Sequence, residues 1–149
     1  MEGKGPLEAV VDASVVVKWY VVEEHRERAL ELRDDFIGGR VRLAAPAIMP
    51  FEVLNAVRHS KRDIEAETLK AVAESLSLYG IELHRIRGRY AELVVEAALD
   101  NGITIYDASY AALAMHLGAV LYTADRELIG SLSGEYRALV MDIREYGAR

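Results

Sequence analysis

The sequence EAVVDASVVVKWY, residues 8–20, predicts a buried strand that runs directly into a helix. The apolar run at residues 9–11 is typical of a strand buried inside a parallel sheet, and residues 14–20 are compatible with a helix. Asp12 therefore lies where the strand ends. In open α/β sheets the carboxyl ends of the strands face the ligand crevice, which makes this acid a candidate for chemistry. An aspartate before a helix is also a common N-terminal cap, so Asp12 alone leaves both interpretations open.

The chain has the length and composition of one globular domain. It has 149 residues, of which 52% are hydrophobic and 28% charged, and we expect residues 1–149 to form a single domain around one core. No apolar run approaches the length of a membrane span, and the first residues, MEGKGP, lack the features of a signal peptide. We therefore expect a cytoplasmic protein.

Residue types that are missing or rare narrow the possible chemistry. There is no cysteine, which excludes disulfides and cysteine-based zinc sites or nucleophiles. Glutamine is absent and asparagine occurs only at Asn55 and Asn101, a depletion typical of hyperthermophile proteins, so we expect a source from a hot environment. The net charge of -6 argues against a protein that coats nucleic acid generally. It leaves room for a nuclease whose metal-binding carboxylates lower the formal charge.

Strand and helix patterns alternate along the rest of the chain. Further strands are predicted at residues 41–44, 81–86, 103–105, 119–123 and 138–143. Helices are predicted at residues 23–36, within 45–62, and at 68–79, 91–99 and 106–117. Strands that alternate with helices at this spacing imply parallel βαβ units. We therefore predict an α/β fold, a three-layer α/β/α sandwich with a central parallel sheet.

Two further aspartates follow predicted strands. Asp107 comes after residues 103–105, and Asp125 comes after residues 119–123 in the sequence LYTADREL. Right-handed crossovers place the carboxyl ends of successive parallel strands at one edge of the sheet, so we expect Asp12, Asp107 and Asp125 to share that edge. Asp107 could also cap its helix, and Asp125 could lie in a turn before a short helix that begins near residue 126.

A fourth acid, Glu52, interrupts the apolar pattern of the third predicted helix. We expect Phe51, Leu54 and Val57 to form the buried face of this helix, with Asn55 on the same face as Glu52. A glutamate among apolar neighbours is seldom left buried without a partner. Glu52 is therefore a further candidate site residue.

These acids together predict a particular kind of chemistry. Three or four carboxylates in one partly buried crevice repel one another, and without a counter-charge at least one would have to bind a proton. A hard divalent cation removes this conflict, and all-oxygen ligands favour Mg²⁺ or Mn²⁺ over zinc. Such ions hold phosphates and activate water during phosphodiester hydrolysis.

Four motifs also carry a resemblance to a known family. VVDAS, PxxxPFEVLNAV, YDASYAALA and LYTADREL, in this order and over the whole chain, resemble the PIN-domain ribonucleases, most closely the VapC toxins of toxin–antitoxin pairs. The resemblance implies that Asp12 lies on the central strand and that the strand carrying Asp107 lies beside it, where the strand order reverses. The implied site consists of Asp12, Glu52, Asp107 and Asp125, with Ser14, Asn55 and Thr123 as supporting residues.

Position and charge indicate a role for each acid, and the resemblance implies the products and the partners. Asp12 and Asp107 would hold the main Mg²⁺ directly or through its waters, whereas Glu52 and Asp125 would hold a second ion or orient the attacking water. Whether one ion or two are bound is left open. Cleavage of the RNA substrate would give a 5′-phosphate and a 3′-hydroxyl. The expected partners are a VapB-like antitoxin, which covers apolar surface near the site, and a second copy of the chain in a homodimer.

Two other classes of protein are alternatives. A phosphoacceptor receiver domain also has aspartates at strand ends, but it needs a lysine after a late strand, and here no lysine follows Lys70. It also needs paired acids near the first strand, whereas Asp12 follows two valines. A PIN-like module that binds RNA or protein without cleavage stays open, because only the presence of all four acids argues against it.

Overall fold

Five parallel strands form one sheet in the structure, a computed structural model that describes residues 6–147. The strands are β1 (Leu7–Val11), β2 (Val41–Pro46), β3 (Glu82–His84), β4 (Val120–Thr123) and β5 (Val140–Asp142). Their order across the sheet is β3-β2-β1-β4-β5, and each neighbouring pair is parallel. The apolar run that follows residue 8 thus lies in the central strand, as the family resemblance implies.

Helices cover both faces of this sheet. Within residues 6–147 they are α1 (Ala13–Val16), α2 (Arg26–Ile37), α3 (Met49–His59), α4 (Ala66–Tyr79), α5 (Gly88–Asn101), α6 (Ile105–Leu117), α7 (Arg126–Ser131) and α8 (Gly134–Ala138). Right-handed crossovers put α1 to α4 on one face and α5 to α8 on the other. The predicted three-layer α/β/α sandwich is therefore confirmed.

The order of the strands reverses beside β1. The chain runs outward through β1, β2 and β3, and then returns to place β4 on the other side of β1. Val11 is paired with Tyr122 at the end of this junction. A crevice between outgoing and returning strands is the usual ligand position in open α/β sheets. The first and fourth strands therefore determine where a site is built.

The strand predicted at residues 103–105 does not exist. Thr104 instead caps α6, because its hydroxyl oxygen accepts a hydrogen bond from the backbone N–H of Asp107 at 3.0 Å. The short β-branched run precedes a long alanine-rich helix, and the place beside β1 is filled by β4. Asp107 therefore lies in the first turn of a helix, and the expectation that its own strand adjoins β1 is wrong.

The buried face of α3 also differs from the prediction. Met49, Val53 and Val57 are buried and spaced by four residues, whereas Phe51 is 72% exposed. At about 100° per residue, Phe51 lies about 200° around the helix from Met49. The other predicted strands and helices are present, with ends that differ by up to four residues, and α8 is not predicted.

Helix α6 forms the centre of the second helical layer. Every residue from Ala108 to Ala114 is buried, and the helix contacts α5, β1, β2 and β4. Its many alanines allow close approach to the sheet, which fixes the helix start relative to β1. None of the described helices is long and apolar enough to cross a membrane.

We predict opposite effects of two glycine-to-alanine substitutions. Gly118 ends α6 with a left-handed φ of 64°, so Gly118→Ala should lower the free energy of unfolding by about 1 kcal/mol. Gly130 lies inside α7 with open space around it, so Gly130→Ala should raise that free energy by up to about 1 kcal/mol. Chemical denaturation measures both. Equal effects at the two positions would contradict the role of the left-handed turn before β4.

Candidate active site

Asp12 lies at the carboxyl end of β1, where its side chain is 7% exposed. Its backbone N–H donates to the carbonyl of Tyr122 at 3.0 Å, which continues the β1–β4 pairing by one residue. The side chain does not cap α1. Instead, its Oδ2 accepts hydrogen bonds from Ser14 Oγ at 2.6 Å and Thr123 Oγ1 at 2.7 Å. The capping interpretation of Asp12 is therefore wrong.

Burial makes ionisation of Asp12 unfavourable. It raises the pKa of this carboxyl from 3.8 to about 6, although the hydrogen bonds from Ser14 and Thr123 oppose the rise. The negative charges of Glu52 and Asp125 raise the pKa further. A positive charge close to Asp12 would therefore stabilise its ionised carboxylate.

The hydroxyl groups around Asp12 join the ends of β1 and β4. Ser14 Oγ accepts the backbone N–H of Ala124 at 2.9 Å, and Thr123 Oγ1 accepts that of Asp125 at 3.0 Å. The two hydroxyl oxygens lie 3.3 Å apart. This network connects residues more than 100 positions apart in the sequence and holds Asp125 close to Asp12.

The side chain of Asp125 also caps the N-terminus of α7. Its Oδ1 accepts the backbone N–H groups of Glu127 at 3.0 Å and Leu128 at 3.1 Å. The alternative in which Asp125 precedes a short helix is thus confirmed. Both capping bonds go to Oδ1, so Oδ2 of Asp125 stays available for a metal ion or a water molecule.

Glu52 lies in the first turn of α3 and receives a hydrogen bond from α6. The hydroxyl of Tyr110 donates to Glu52 Oε1 at 2.5 Å, and Tyr110 is only 1% exposed. Burial, followed by the charges of Asp12 and Glu52, raises the pKa of this phenol, so it remains a donor at all physiological pH values. Sequence analysis missed Tyr110. Its signal is a tyrosine three residues after Asp107, within the run of small residues ASYAA.

Glu52 and Asp107 are both partly buried acids with raised pKa values. For Glu52, burial raises the pKa, the Tyr110 hydrogen bond lowers it and the charge of Asp107 raises it. For Asp107, burial is again the largest cause, followed by the charges of Asp125 and Glu127. Asp107 does not cap α6, because Thr104 does.

Asp12, Glu52, Asp107 and Asp125, here called the acidic site, therefore form one electrostatically coupled group. The charges of Glu52 and Asp125 raise the pKa of Asp12. The charge of Asp107 raises the pKa of Glu52, and the charge of Asp125 raises the pKa of Asp107. Among the residues that the structure describes, no basic side chain contributes to the pKa of Asp12, Glu52 or Asp107. Negative charge is thus concentrated at Asp12, Glu52 and Asp107, while Lys18 and Arg126 line a cavity with Asp125.

The donor set of the acidic site fits a hard divalent cation. Carboxylate and hydroxyl oxygens are the ligands that Mg²⁺ and Mn²⁺ prefer. Across residues 6–147, no three histidine, aspartate or glutamate side chains come close enough to enclose an ion directly. Mg²⁺ usually retains several of its waters and needs only one or two protein carboxylates, so ligation partly through water fits this arrangement.

Asn55 lies outside this cluster of contacts. It is exposed, one turn beyond Glu52 on α3, and it lines a shallow groove with Phe51, Leu54 and Leu69. Its backbone carbonyl accepts a hydrogen bond from His59. A contribution of Asn55 to the acidic site stays a prediction.

The fold and the acidic site together define an α/β domain with coupled carboxylates at the reversal of strand order. The sequence pattern of the PIN domain family matches residues 9–130. This match spans well over half of the chain, and the chain belongs to the PIN domain family.

Two curated relatives from Pyrobaculum aerophilum match most of the chain. "Ribonuclease VapC3" is 33% identical over 129 residues, which cover 82% of this chain and 92% of the relative. "Exonuclease VapC9" is 32% identical over 135 residues, which cover 87% of this chain and 89% of the relative. A solved toxin–antitoxin complex from Klebsiella pneumoniae has the same fold, with a TM-score of 0.65 at 17% identity over 91% of this chain and 97% of its own.

We predict that Asp12→Asn stabilises the protein at neutral pH without metal. The native pKa of about 6 lies above 3.8, so between these values the native state keeps a proton that the unfolded chain has lost, and stability falls as the pH rises. A shift of about two pKa units corresponds to about 3 kcal/mol. With EDTA, Asp12→Asn should therefore raise the free energy of unfolding by about 1 to 3 kcal/mol at pH 7.5.

Denaturant titrations at two pH values check this prediction. At pH 4 the wild-type carboxyl is protonated, so the gain should largely disappear. Asp100→Asn, at an exposed position on α5, is the control and should change stability little at either pH. A loss of stability in Asp12→Asn at pH 7.5 would show that the ionised form is favoured by the fold.

Proposed function

We propose that this chain is a VapC-type endoribonuclease that hydrolyses RNA phosphodiester bonds with the help of Mg²⁺ or Mn²⁺. The observation that carries this proposal is the coupling of Asp12, Glu52, Asp107 and Asp125 beside the strand reversal, where no basic side chain among the described residues contributes to the pKa of the first three. The names of the two curated relatives support a nuclease, and the first supports RNA as the substrate.

Asp12 and Asp107 are the residues that we assign to the main ion. When bound, a divalent ion supplies positive charge to the scissile phosphate and makes a nearby water more acidic. Both hydroxyl bonds to Asp12 go to Oδ2, so we assign Oδ1 to ligation. Ser14 and Thr123 keep this carboxylate in a fixed orientation, and Asp107 approaches from the first turn of α6.

Glu52 and Asp125 are the residues that we assign to the water or to a second ion. The hydrogen bond from Tyr110 fixes Oε1 of Glu52, which leaves Oε2 as the atom that receives a proton from the attacking water. The raised pKa of Glu52 makes it a better proton acceptor than an exposed glutamate. Tyr110 is a positioning residue, because it acts through Glu52.

We predict that Asp12→Asn and Asp107→Asn each reduce metal-dependent RNA cleavage by at least about 100-fold, because each removes a charged ligand. Asp100→Asn, which alters an exposed aspartate elsewhere on the surface, should cleave like the wild type. A circular single-stranded RNA, assayed with Mg²⁺ or Mn²⁺ and with EDTA, provides the measurement. Circular RNA has no ends, so its cleavage requires an endonuclease.

The outcomes of this assay separate the candidate functions. Full cleavage by both aspartate variants would rule out the assigned site. Cleavage of linear but not circular RNA would indicate an exonuclease, the activity in the name of the second relative. RNA binding without any cleavage by the wild type would indicate a binding module.

We predict that Mg²⁺ stabilises the wild type but not Asp107→Ala. At a concentration of 100 times its Kd, a specific ion adds about 2.7 kcal/mol to the free energy of unfolding. Without metal, Asp107→Ala should be neutral or stabilising, because it relieves repulsion and removes no capping bond. Thr104→Ala removes the cap of α6 and should cost about 1 kcal/mol with or without Mg²⁺.

Melting curves with EDTA and with Mg²⁺ test this difference. An equal Mg²⁺ effect on the wild type and on Asp107→Ala would place the ion elsewhere. A metal-independent loss in Asp107→Ala similar to that of Thr104→Ala would indicate a structural role for the carboxyl group.

We also propose that a small antitoxin inhibits the enzyme, that two copies form a homodimer and that both act in the cytoplasm, where the RNA is. The likeness of the fold to a chain of a toxin–antitoxin complex supports an antitoxin partner. Phe51, Leu54 and Leu69 leave apolar surface exposed between α3 and α4, close to Glu52, as a surface for such a partner. Cleavage assays with the candidate antitoxin test the first proposal, and light scattering of the free protein tests the second.

A further inference from the structure

A small apolar pocket lies beside the acidic site, at the carboxyl ends of β2 and β3. Its volume is about 190 Å³, and its walls include Ile48, Ile86, Ile105 and Tyr106. Ile86 is 58% exposed and Tyr106 is 57% exposed, so the pocket is open to solvent. This volume is below the usual range for drug-sized ligands and suits a single planar ring system.

The N-terminal ends of α3 and α6 contribute residues both to the acidic site and to this pocket. Tyr106 directly precedes Asp107 in the first turn of α6, so their Cα atoms are about 3.8 Å apart. The carbonyl of Ile48 accepts the backbone N–H of Glu52 at 3.2 Å at the start of α3. A nucleic acid strand whose phosphate lies at the acids therefore carries a neighbouring base past the pocket.

The polar groups of the pocket are already bonded within the protein. Tyr90 donates its hydroxyl to the carbonyl of Ser109 at 2.8 Å, and Ser109 donates its own hydroxyl to the carbonyl of Tyr106 at 2.6 Å. His84 Nε2 lies 2.7 Å from Glu82 Oε1. The pocket thus offers apolar surface and an aromatic ring rather than free groups that would read the edge of a base. Such a surface binds base faces with little sequence preference.

Two exposed arginines adjoin a pocket residue along the chain. Arg85 and Arg87 precede and follow Ile86, which lines the pocket, and within residues 6–147 neither takes part in a salt bridge. Arg89, in contrast, pairs with Glu92 and Glu96. In a chain with a net charge of -6, two exposed arginines next to a pocket residue in the chain match a polyanion with planar bases better than an apolar protein segment.

We infer that the pocket is a nucleobase subsite, which holds one unpaired RNA base next to the scissile phosphate. The base stacks on the ring of Tyr106 and contacts Ile86, while Arg85 and Arg87 contact phosphates of the same strand. The position next to the scissile phosphate rests on the proposed ribonuclease function. The stacking itself rests only on the pocket and its charge.

Binding of RNAs that lack single bases tests the subsite. The protein is the full chain with Asp12→Asn, and the probes are a single-stranded RNA and a series in which each member has one abasic position. We expect one abasic position to weaken binding by about tenfold. Tyr106→Ala should weaken binding of the intact RNA to a similar extent and remove the effect of that position, whereas Tyr106→Phe should keep it.

Salt dependence tests the two arginines. Arg85→Gln and Arg87→Gln should each reduce the slope of log affinity against log salt by about 0.7. Arg42→Gln is the matched control, because Arg42 is an exposed arginine near the opposite, amino end of β2. Leu99→Ala, at an exposed apolar position on α5, is the control for Tyr106→Ala.

Two results would overturn the subsite. One is a loss of RNA affinity at the abasic position that is equally large with Tyr106→Ala and without it. The other is a change of Tyr106→Ala from dimer to monomer with an unchanged abasic pattern, which would assign the pocket to contacts between copies. Cleavage by the wild type is measured separately. If the wild type cleaves RNA but Tyr106→Ala does not change the abasic pattern, only the subsite is overturned. If Tyr106→Ala changes the abasic pattern but the wild type does not cleave RNA, only the nuclease function is overturned.

Discussion

The buried carboxylate of Asp12 is the constraint around which the ends of β1 and β4 are arranged. An ionised aspartate with 7% exposure is unfavourable, and two hydroxyl groups offset only part of that cost. Those hydroxyls, on Ser14 and Thr123, come from opposite sides of the strand reversal, and each also accepts a backbone N–H beyond β4. The same few bonds therefore close the sheet junction and orient the acid, so the orientation of Asp12 depends on the pairing of β1 with β4.

The other acids depend on contacts between layers. Glu52 belongs to the first helical layer, yet its orientation comes from Tyr110 in the second. Asp107 is positioned by Thr104 and by the burial of α6 against the sheet. Each acid raises the pKa of a neighbour, so the fold carries an electrostatic strain that a bound cation would relieve. This is why a site of this composition is expected to be more stable with metal than without.

Sequence patterns predicted the strands of the sheet and the positions of Asp12 and Asp125 after two of them, because these features depend on local order along the chain. The runs at residues 9–11 and 119–123 are short, largely apolar and followed by acids, a pattern that favours a buried parallel strand. The run at residues 103–105 has the same appearance, but whether it becomes a strand depends on a vacant place in the sheet, and β4 takes that place. The role of Tyr110 was missed because a hydrogen bond over 58 positions leaves no periodic signal.

The charge distribution explains how an acidic protein could bind a polyanion. The acidic site places four carboxylates at the crevice, and a divalent ion would reverse the field there. The remaining attraction would come from two arginines and an apolar pocket, which are too few for tight, sequence-independent coating of RNA. In the proposed enzyme, affinity would therefore depend strongly on the metal. Binding energy would then be concentrated on the phosphate at the acids rather than spread along the strand, which favours cleavage and release over retention.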